Sequence, residues 1–182
     1  MKNLSFVITF LLLSSIKVWA CTQLDTLHVQ IRAASSDNQA EIFMTTLRQV
    51  KNNQDSHTEE NLNCYLDLLY SWDEEYRELT PVQLSEAQNI IGYIYYRMGL
   101  LDEARELYLA TLQTNLAGEY LRYHGEAFNS LGILSSQESD YSTGIKFYIK
   151  ALDVWNQVGN IYNQTAITVN IGTLQKSLTD FT

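Results

Sequence analysis

The sequence has little proline, glycine, histidine and cysteine. Its 182 residues include one proline, Pro81, and eight glycines. Because these two residue types build the tight turns of hairpins, their scarcity argues against a β-rich fold and leaves long stretches available for helix. The three histidines and two cysteines provide few metal ligands or nucleophiles. An all-helical chain without an obvious catalytic centre is the first expectation.

Basic residues are also scarce. The chain has 12 Lys and Arg against 21 Asp and Glu, which gives a formal charge of −9. A surface this negative repels phosphate backbones, so we expect no nucleic-acid partner, whereas a basic or polar peptide is easier to accommodate. Hydrophobic residues make up 46% of the chain. That is enough for one compact domain or a short repeat array.

The first 20 residues have the three regions of an export signal. Lys2 provides the positive charge, residues 4–16 form an apolar run, and Ala20 places a small residue before Cys21. The apolar run is short for a membrane span, although an uncleaved anchor or a buried helix is the alternative. We predict a signal peptide at residues 1–20 and an exported protein, with the periplasm as the expected compartment. Removing Lys2 and Lys17 changes the formal charge from −9 to −11.

Cys21 directly follows the predicted cleavage site, and Cys64 is the second cysteine of the chain. In an oxidising compartment the two would form a disulfide. A cysteine at this place is also where bacterial lipoproteins receive their lipid. Val18 fits that motif, but Trp19 stands where a small residue is usual, and Lys17 is unusually close. We favour the disulfide over a lipid anchor, and two free thiols are the third alternative.

A 40-residue internal repeat organises the C-terminal part of the chain. Gly92, Gly132 and Gly172 stand 40 residues apart, and an aliphatic residue precedes each. Other positions in the same register are Ala87 with Ala127, Asn89 with Asn129, Ala104 with Gly144, Tyr108 with Tyr148, and Leu112 with Leu152.

Within each repeat, apolar residues recur three and four apart, which is the pattern of a helix with one buried stripe. The pattern breaks at Met98-Gly99-Leu100 and at Ser139-Asp140. Each repeat is therefore predicted to be two antiparallel helices joined by a tight turn. Small residues such as Gly92 and Ala104 let the two backbones approach, and large aromatics fill the space beside them.

These residues resemble the tetratricopeptide repeat family. Its pattern is a Leu-Gly pair, a small residue twelve places later, an aromatic four places on, and then a small residue. Ile91-Gly92, Ala104 and Tyr108 follow it, with Thr111 at the last position. The second repeat follows it with Leu131-Gly132, Gly144, Tyr148 and Ala151. The early tryptophan of the family is missing, and the period is longer than the common value of about 34.

The resemblance covers roughly the last hundred residues and implies a right-handed α-solenoid of antiparallel helix pairs. We predict a helical capping region at 21–80 and about two and a half repeats at 81–182. The third repeat supplies one helix, with Ile167, Ile171, Leu174 and Leu178 as its apolar stripe, and then the sequence stops. We expect that stripe to lack a partner, which makes self-association through an open C-terminal helix a second expectation.

No catalytic constellation is evident. His57 and His124 lie near glutamates, but no second histidine stands at metal-ligand spacing, and we expect neither a metal nor another cofactor. The sequence contains no Gly-rich phosphate loop and no Cys-x-x-Cys. We therefore expect a protein that binds rather than catalyses.

The resemblance also implies a binding face, because first helices line the concave groove of tetratricopeptide arrays. The matching side chains are Asn89, Tyr93 and Tyr96 in one repeat and Asn129 and Ile133 in the next. Glu86 and Glu126 lie one turn earlier on the same side. An amide can donate to and accept from a peptide backbone, and tyrosine combines apolar area with a polar tip. The competing interpretation is that these tyrosines pack between helices and Asn89 bonds an adjacent turn.

The leading hypothesis is an exported, non-enzymatic scaffold that captures a peptide or protein segment. The alternative is the truncated periplasmic sensor portion of a membrane signalling protein, of the histidine kinase or diguanylate cyclase type. Such proteins can share the order of a signal sequence followed by long-period repeats. We expect this chain to meet the membrane only through its signal peptide or through a lipid on Cys21.

Overall fold

The computed structural model describes residues 33–52 and 79–180. Every regular element in these ranges is helical, so the prediction of an all-α protein is confirmed. The chain divides into two compact units, Met1–Glu78 and Leu79–Thr182. The predicted signal peptide, Cys21 and Cys64 lie outside the described residues.

In the first unit, the described helix is α1 (Ser36–Asn52). Its apolar residues Ala40, Phe43, Met44 and Leu47 are buried. Their spacing of three, one and three places them on one stripe of the helix. Lys51 in the last turn faces the negative end of the helix dipole, which is the favourable position for a cation.

The second unit contains five α-helices and one short 3₁₀ segment among its described residues. They are α2 (Pro81–Arg97), α3 (Leu101–Thr111), the 3₁₀ segment Gly118–Leu121, α4 (Arg122–Gln137), α5 (Tyr141–Gln157) and α6 (Ile161–Asp180). Each α-helix packs against the next one along the chain, and α2 also contacts α4. The packing of α3 on α4 is less extensive than the packing of α2 on α3 or α4 on α5.

Three short turns connect consecutive helices with the same backbone geometry. Gly99, Ser139 and Gly159 have positive φ values of 78°, 64° and 69°. The residue after each donates its N–H to a carbonyl five residues earlier, at distances of 3.0, 2.9 and 3.0 Å. This is the Schellman motif, which satisfies carbonyls left unpaired at the end of a helix. It reverses the chain within three residues and lets the next helix pack back on the previous one.

Polar residues cap the starts of α2 and α5. The Thr80 hydroxyl accepts from the Gln83 N–H and the Gln83 side chain accepts from the Thr80 N–H, with Pro81 in the first turn of α2. At α5, Asp140 Oδ1 accepts from the Thr143 N–H at 3.1 Å. Hydrogen bonding from the Thr143 side chain and backbone lowers the pKa of the Asp140 carboxyl. Pro81 is therefore the first residue of α2.

A tyrosine ring lies on a glycine within each helix pair. A Cβ placed on Gly92 would be 2.8 Å from Tyr108 Cε1, and one placed on Gly132 would be 2.6 Å from Tyr148 Cε1. Tyr108 and Tyr148 are both buried. The two contacts occur at equivalent positions of the repeat, because both the glycines and the tyrosines are 40 residues apart.

The third repeat glycine, Gly172 on α6, has no atom within 4 Å of the position that its Cβ would occupy. The apolar stripe of α6 differs from the expectation that it lacks a partner. Ile167 and Leu174 are buried in a cluster with Tyr148 and Trp155 of α5. The uncovered side of α6 is the opposite one, where Tyr162 is 83% exposed.

Candidate functional site

The seven side chains predicted to bind a partner lie on α2 and α4, and we refer to them together as the α2/α4 face. They are Glu86, Asn89, Tyr93 and Tyr96 on α2, and Glu126, Asn129 and Ile133 on α4. Asn89 is buried, with 5% of its surface exposed. The other six are half-buried. α2 and α4 contact one another, so the two sets of side chains lie on neighbouring helices.

Tyr108 of α3, whose ring packs on Gly92, has its hydroxyl near residues of this face. Burial raises the pKa of Tyr108, and a hydrogen bond with the Ser130 side chain opposes that rise. Tyr96, Tyr93 and Glu126 raise the pKa further through their charges. These effects place Tyr93 and Tyr96 of α2 and Glu126 of α4 in the electrostatic neighbourhood of the Tyr108 hydroxyl.

Tyr96 links the two helices directly. Gln137 Nε2, at the end of α4, donates a hydrogen bond to the Tyr96 hydroxyl at 2.9 Å. The rings of Tyr93 and Tyr96 are tilted, with centroids 6.5 Å apart. Burial raises the pKa of Tyr148 to about 12, and Tyr96 adds to the rise. Tyr96 therefore accepts a hydrogen bond from an amide of α4 and contributes to the raised pKa of a tyrosine of α5.

Tyr93 also has a cationic neighbour, Arg97, on the same helix. Arg97 Nη1 donates to the Tyr93 hydroxyl at 3.0 Å, and the Arg97 guanidinium carbon lies 5.9 Å from the centre of the Tyr93 ring. This distance is at the outer limit of a cation–π contact. Tyr93 thus has a polar neighbour at its tip and a ring that already attracts a cation.

Asn89 has a structural contact in addition to its place on the face. Its Nδ2 donates to the backbone carbonyl of Tyr123 at 2.9 Å, which ties α2 to the first turn of α4. Its Oδ1 is buried without a hydrogen-bond donor, and so is Oδ1 of the equivalent Asn129. The competing interpretation, in which Asn89 bonds a nearby turn, therefore describes the observed contact of its Nδ2. The acceptor, however, is 34 residues later in the sequence and lies in the next repeat.

Carboxylates from both helices act on one arginine at the start of α4. Arg122 Nη2 donates to the Tyr123 hydroxyl at 2.8 Å, and its guanidinium carbon is 4.7 Å from the centre of that ring. The hydrogen bond with Tyr123 raises the pKa of Arg122, and the charges of Glu126 and Glu86 raise it further. The two predicted glutamates therefore lie in one electrostatic neighbourhood.

Several participants were not predicted from the sequence. Arg97 and Gln137 are equivalent in the 40-residue register and stand one turn beyond Tyr93 and Ile133. Extending the predicted face by one helical turn would have found both. Arg122 and Tyr123 have no such signal, because they follow the irregular connection between α3 and α4.

Within residues 33–52 and 79–180, no group of three or more His, Cys, Asp or Glu side chains is arranged to hold a metal ion. No helix there has the length and apolar character needed to span a bilayer. A depression of about 370 Å³ on α5 is lined by Thr143, Lys146, Phe147, Ile149 and Lys150. Its surface is largely apolar, with two lysines beside it, and it does not include any residue of the α2/α4 face.

Comparison with known proteins gives a structural likeness. No family model matches the chain, and no curated protein matches it. Among solved structures, the chain is similar to the crystal structure of BtubC (BKLC) from P. vanneervenii, with a TM-score of 0.58 and 18% sequence identity. The match covers 91% of this chain but 65% of the length of that protein. At this identity the likeness concerns the fold, and it supports the all-α architecture described above.

Proposed function

We propose that this protein is an exported, non-enzymatic scaffold of tetratricopeptide-like helix pairs that captures an extended peptide segment on the α2/α4 face. The repeated contacts of Tyr108 with Gly92 and of Tyr148 with Gly132 support a solenoid arrangement of the pairs, because the same packing recurs after one 40-residue period. Export to the periplasm rests on the predicted signal peptide at residues 1–20.

The observation that carries the proposal is the group of tyrosines between α2 and α4. Tyr93 and Tyr96 keep part of their surface exposed, while neighbouring groups hold their hydroxyls in place. Tyrosine presents a large contact area and loses little side-chain entropy on binding, so rigid tyrosines are effective anchors for a ligand. The adjacent Gln137 amide and Ser130 hydroxyl add groups that can bond a peptide backbone.

The expected ligand is a peptide with Lys or Arg side chains. Glu86 and Glu126 belong to the α2/α4 face, and the charges of both raise the pKa of Arg122. The whole chain has a charge of −9. A cationic side chain gains from these carboxylates and from the faces of the tyrosine rings. An acidic peptide would be repelled by the same charges.

The test compares binding of three extended peptides that share one apolar sequence and carry basic, neutral or acidic flanking residues. Binding is measured by fluorescence anisotropy on protein produced from the full sequence. We expect the basic peptide to bind most tightly. The double substitution Tyr93→Ala with Tyr96→Ala should weaken its binding at least about tenfold, or about 1.4 kcal/mol.

The matched control is Ile149→Ala on α5, which removes an exposed apolar side chain outside the face and should leave binding unchanged. Asn89 is not replaced, because its loss would remove the buried bond to the Tyr123 carbonyl. Circular dichroism checks that each variant keeps its helix content. Equal binding of the basic peptide by the double variant and the Ile149→Ala control would exclude the α2/α4 face as the site.

A further inference from the structure

The side of α6 that faces away from α5 has an ordered set of side chains. Tyr162, Thr165, Val169, Gly172 and Lys176 follow one another at intervals of three and four residues and are all exposed. Tyr162 is 83% and Val169 is 62% exposed. This spacing forms one continuous stripe, like the contact seam of two paired helices. We call these five residues the α6 seam.

Gly172 is the part of the seam that indicates what would cover it. The equivalent glycines, Gly92 and Gly132, each lie under a tyrosine ring. Among the residues that the structure describes, no atom outside the local helix backbone lies within 4 Å of the corresponding position at Gly172. The uncovered glycine therefore leaves open space at the position that a tyrosine ring occupies in the other two repeats.

The seam itself contains an aromatic side chain at a suitable distance. Tyr162 precedes Gly172 by ten residues, which is about 15 Å along a helix. If two copies of α6 pack antiparallel about a two-fold axis level with residue 167, Tyr162 of each copy faces Gly172 of the other. The same axis brings Thr165 opposite Val169. The seam is therefore complementary to itself, as a two-fold interface requires.

Charge also favours contact between copies at this helix. α6 contains one lysine and one aspartate among its 20 residues, whereas the chain as a whole has a charge of −9. Two identical acidic proteins repel one another over most of their surfaces. The repulsion is smallest where a neutral helix meets its own copy.

We propose that two copies of this chain associate through antiparallel packing of the α6 seam, with the Tyr162 ring of each copy seated on Gly172 of the other. The interface is separate from the α2/α4 face, so the proposal does not depend on the proposed function. One helix pair of about 30 Å buries little area, so the association is expected to be weak.

Sedimentation equilibrium of the protein produced from the full sequence, over about 1–200 µM, the range in which a weak dimer forms, tests this proposal. A reductant is included so that the cysteines do not crosslink copies. We expect a monomer–dimer equilibrium. Gly172→Leu fills the open space above the glycine with a side chain of its own helix, so it should weaken association at least tenfold. The thermal unfolding midpoint should stay equal or rise, because the added side chain meets no neighbour. Tyr162→Ala should weaken association, and Tyr162→Phe, which keeps the ring, should not.

Paired substitutions test the antiparallel register. Thr165→Glu with Val169→Lys places opposite charges across the two-fold axis and should preserve the dimer. Thr165→Lys with Val169→Lys places like charges there and should abolish it. A wild-type protein that stays monomeric over the whole range would overturn the proposal. A dimer that tolerates Gly172→Leu, or that treats both charge pairs alike, would place the contact elsewhere.

Discussion

At the scale of single residues, the contact between a glycine and a tyrosine sets how closely the paired helices approach. The ring of Tyr148 lies where a side chain on Gly132 would stand, with Cε1 at 2.6 Å from the ideal Cβ position. The ring is buried, so it has no open space into which it can move. Gly172 is also inside a helix but has nothing within 4 Å. The same residue type at the same repeat position therefore has opposite energetic consequences in the two places.

Replacing each glycine with alanine separates these consequences. Gly132→Ala should destabilise the protein by about 1–3 kcal/mol, because the added methyl group overpacks a buried contact. Gly172→Ala should stabilise it by about 0.5–1 kcal/mol, because alanine has the higher helix propensity and finds open space. Urea unfolding followed by circular dichroism measures both. Changes of the same sign in the two variants would contradict this account.

At the scale of elements, three Schellman turns give the unit its regular helix reversals. Two of them place glycine at the residue with positive φ, and the third places Ser139 there with φ of 64°. A side chain in the left-handed region is strained, because its Cβ approaches the following carbonyl. Ser139 and Gly99 are equivalent positions of the repeat, so the chain contains both the favourable and the strained form of one turn.

Exchanging the two residues measures that strain. Ser139→Gly should raise the free energy of unfolding by about 0.5–1 kcal/mol, since relief of the strain exceeds the entropy that glycine adds to the unfolded chain. Gly99→Ser should lower it by a similar amount. Chemical denaturation of both variants provides the comparison. The explanation fails if Ser139→Gly is neutral while Gly99→Ser is destabilising.

The helices and their pairing could be predicted from the sequence because they depend on local spacing. The apolar periodicity marks the helices, and the breaks at residues 98–100 and 139–140 coincide with turns between helices. The role of Asn89 could not be predicted in the same way. Its bond to the Tyr123 carbonyl depends on where α4 begins after an irregular connection, and a 40-residue register does not determine that point.

The candidate site was predictable to the same extent. The resemblance to tetratricopeptide repeats puts Tyr93, Tyr96 and Glu126 on one predicted face, and the charges of all three raise the pKa of Tyr108. The register does not identify Arg122, because its position depends on the 3₁₀ segment that directly precedes α4. The uncovered side of α6 was misassigned because a helix with two weakly apolar sides does not indicate which one meets its neighbour.

At the scale of the whole molecule, the uneven distribution of charge matters most. The chain has a charge of −9, yet α6 contains one basic and one acidic residue. The carboxylates of Glu86 and Glu126 lie at the α2/α4 face. The molecule therefore combines an overall acidic charge with one nearly neutral helix.

The proposed capture of a basic peptide should depend on salt because of this distribution. Raising NaCl from about 20 mM to about 300 mM shortens the screening length several-fold, so the peptide should bind more weakly. Glu86→Gln with Glu126→Gln should reduce both the affinity and its dependence on salt, and anisotropy titrations measure both slopes. A salt dependence identical in the wild type and this variant would show that other charges attract the peptide.

The spacing between each glycine and its tyrosine has a consequence for where the chain tolerates a change of length. In both pairs, 16 residues separate the glycine from the ring that covers it. An insertion or deletion within that interval would rotate the ring away from its glycine, since one residue turns a helix by about 100°. The stretch from Leu112 to Ala117, between α3 and the 3₁₀ segment, lies outside both intervals. A segment added there, such as a tag or a grafted loop, leaves both 16-residue spacings unchanged.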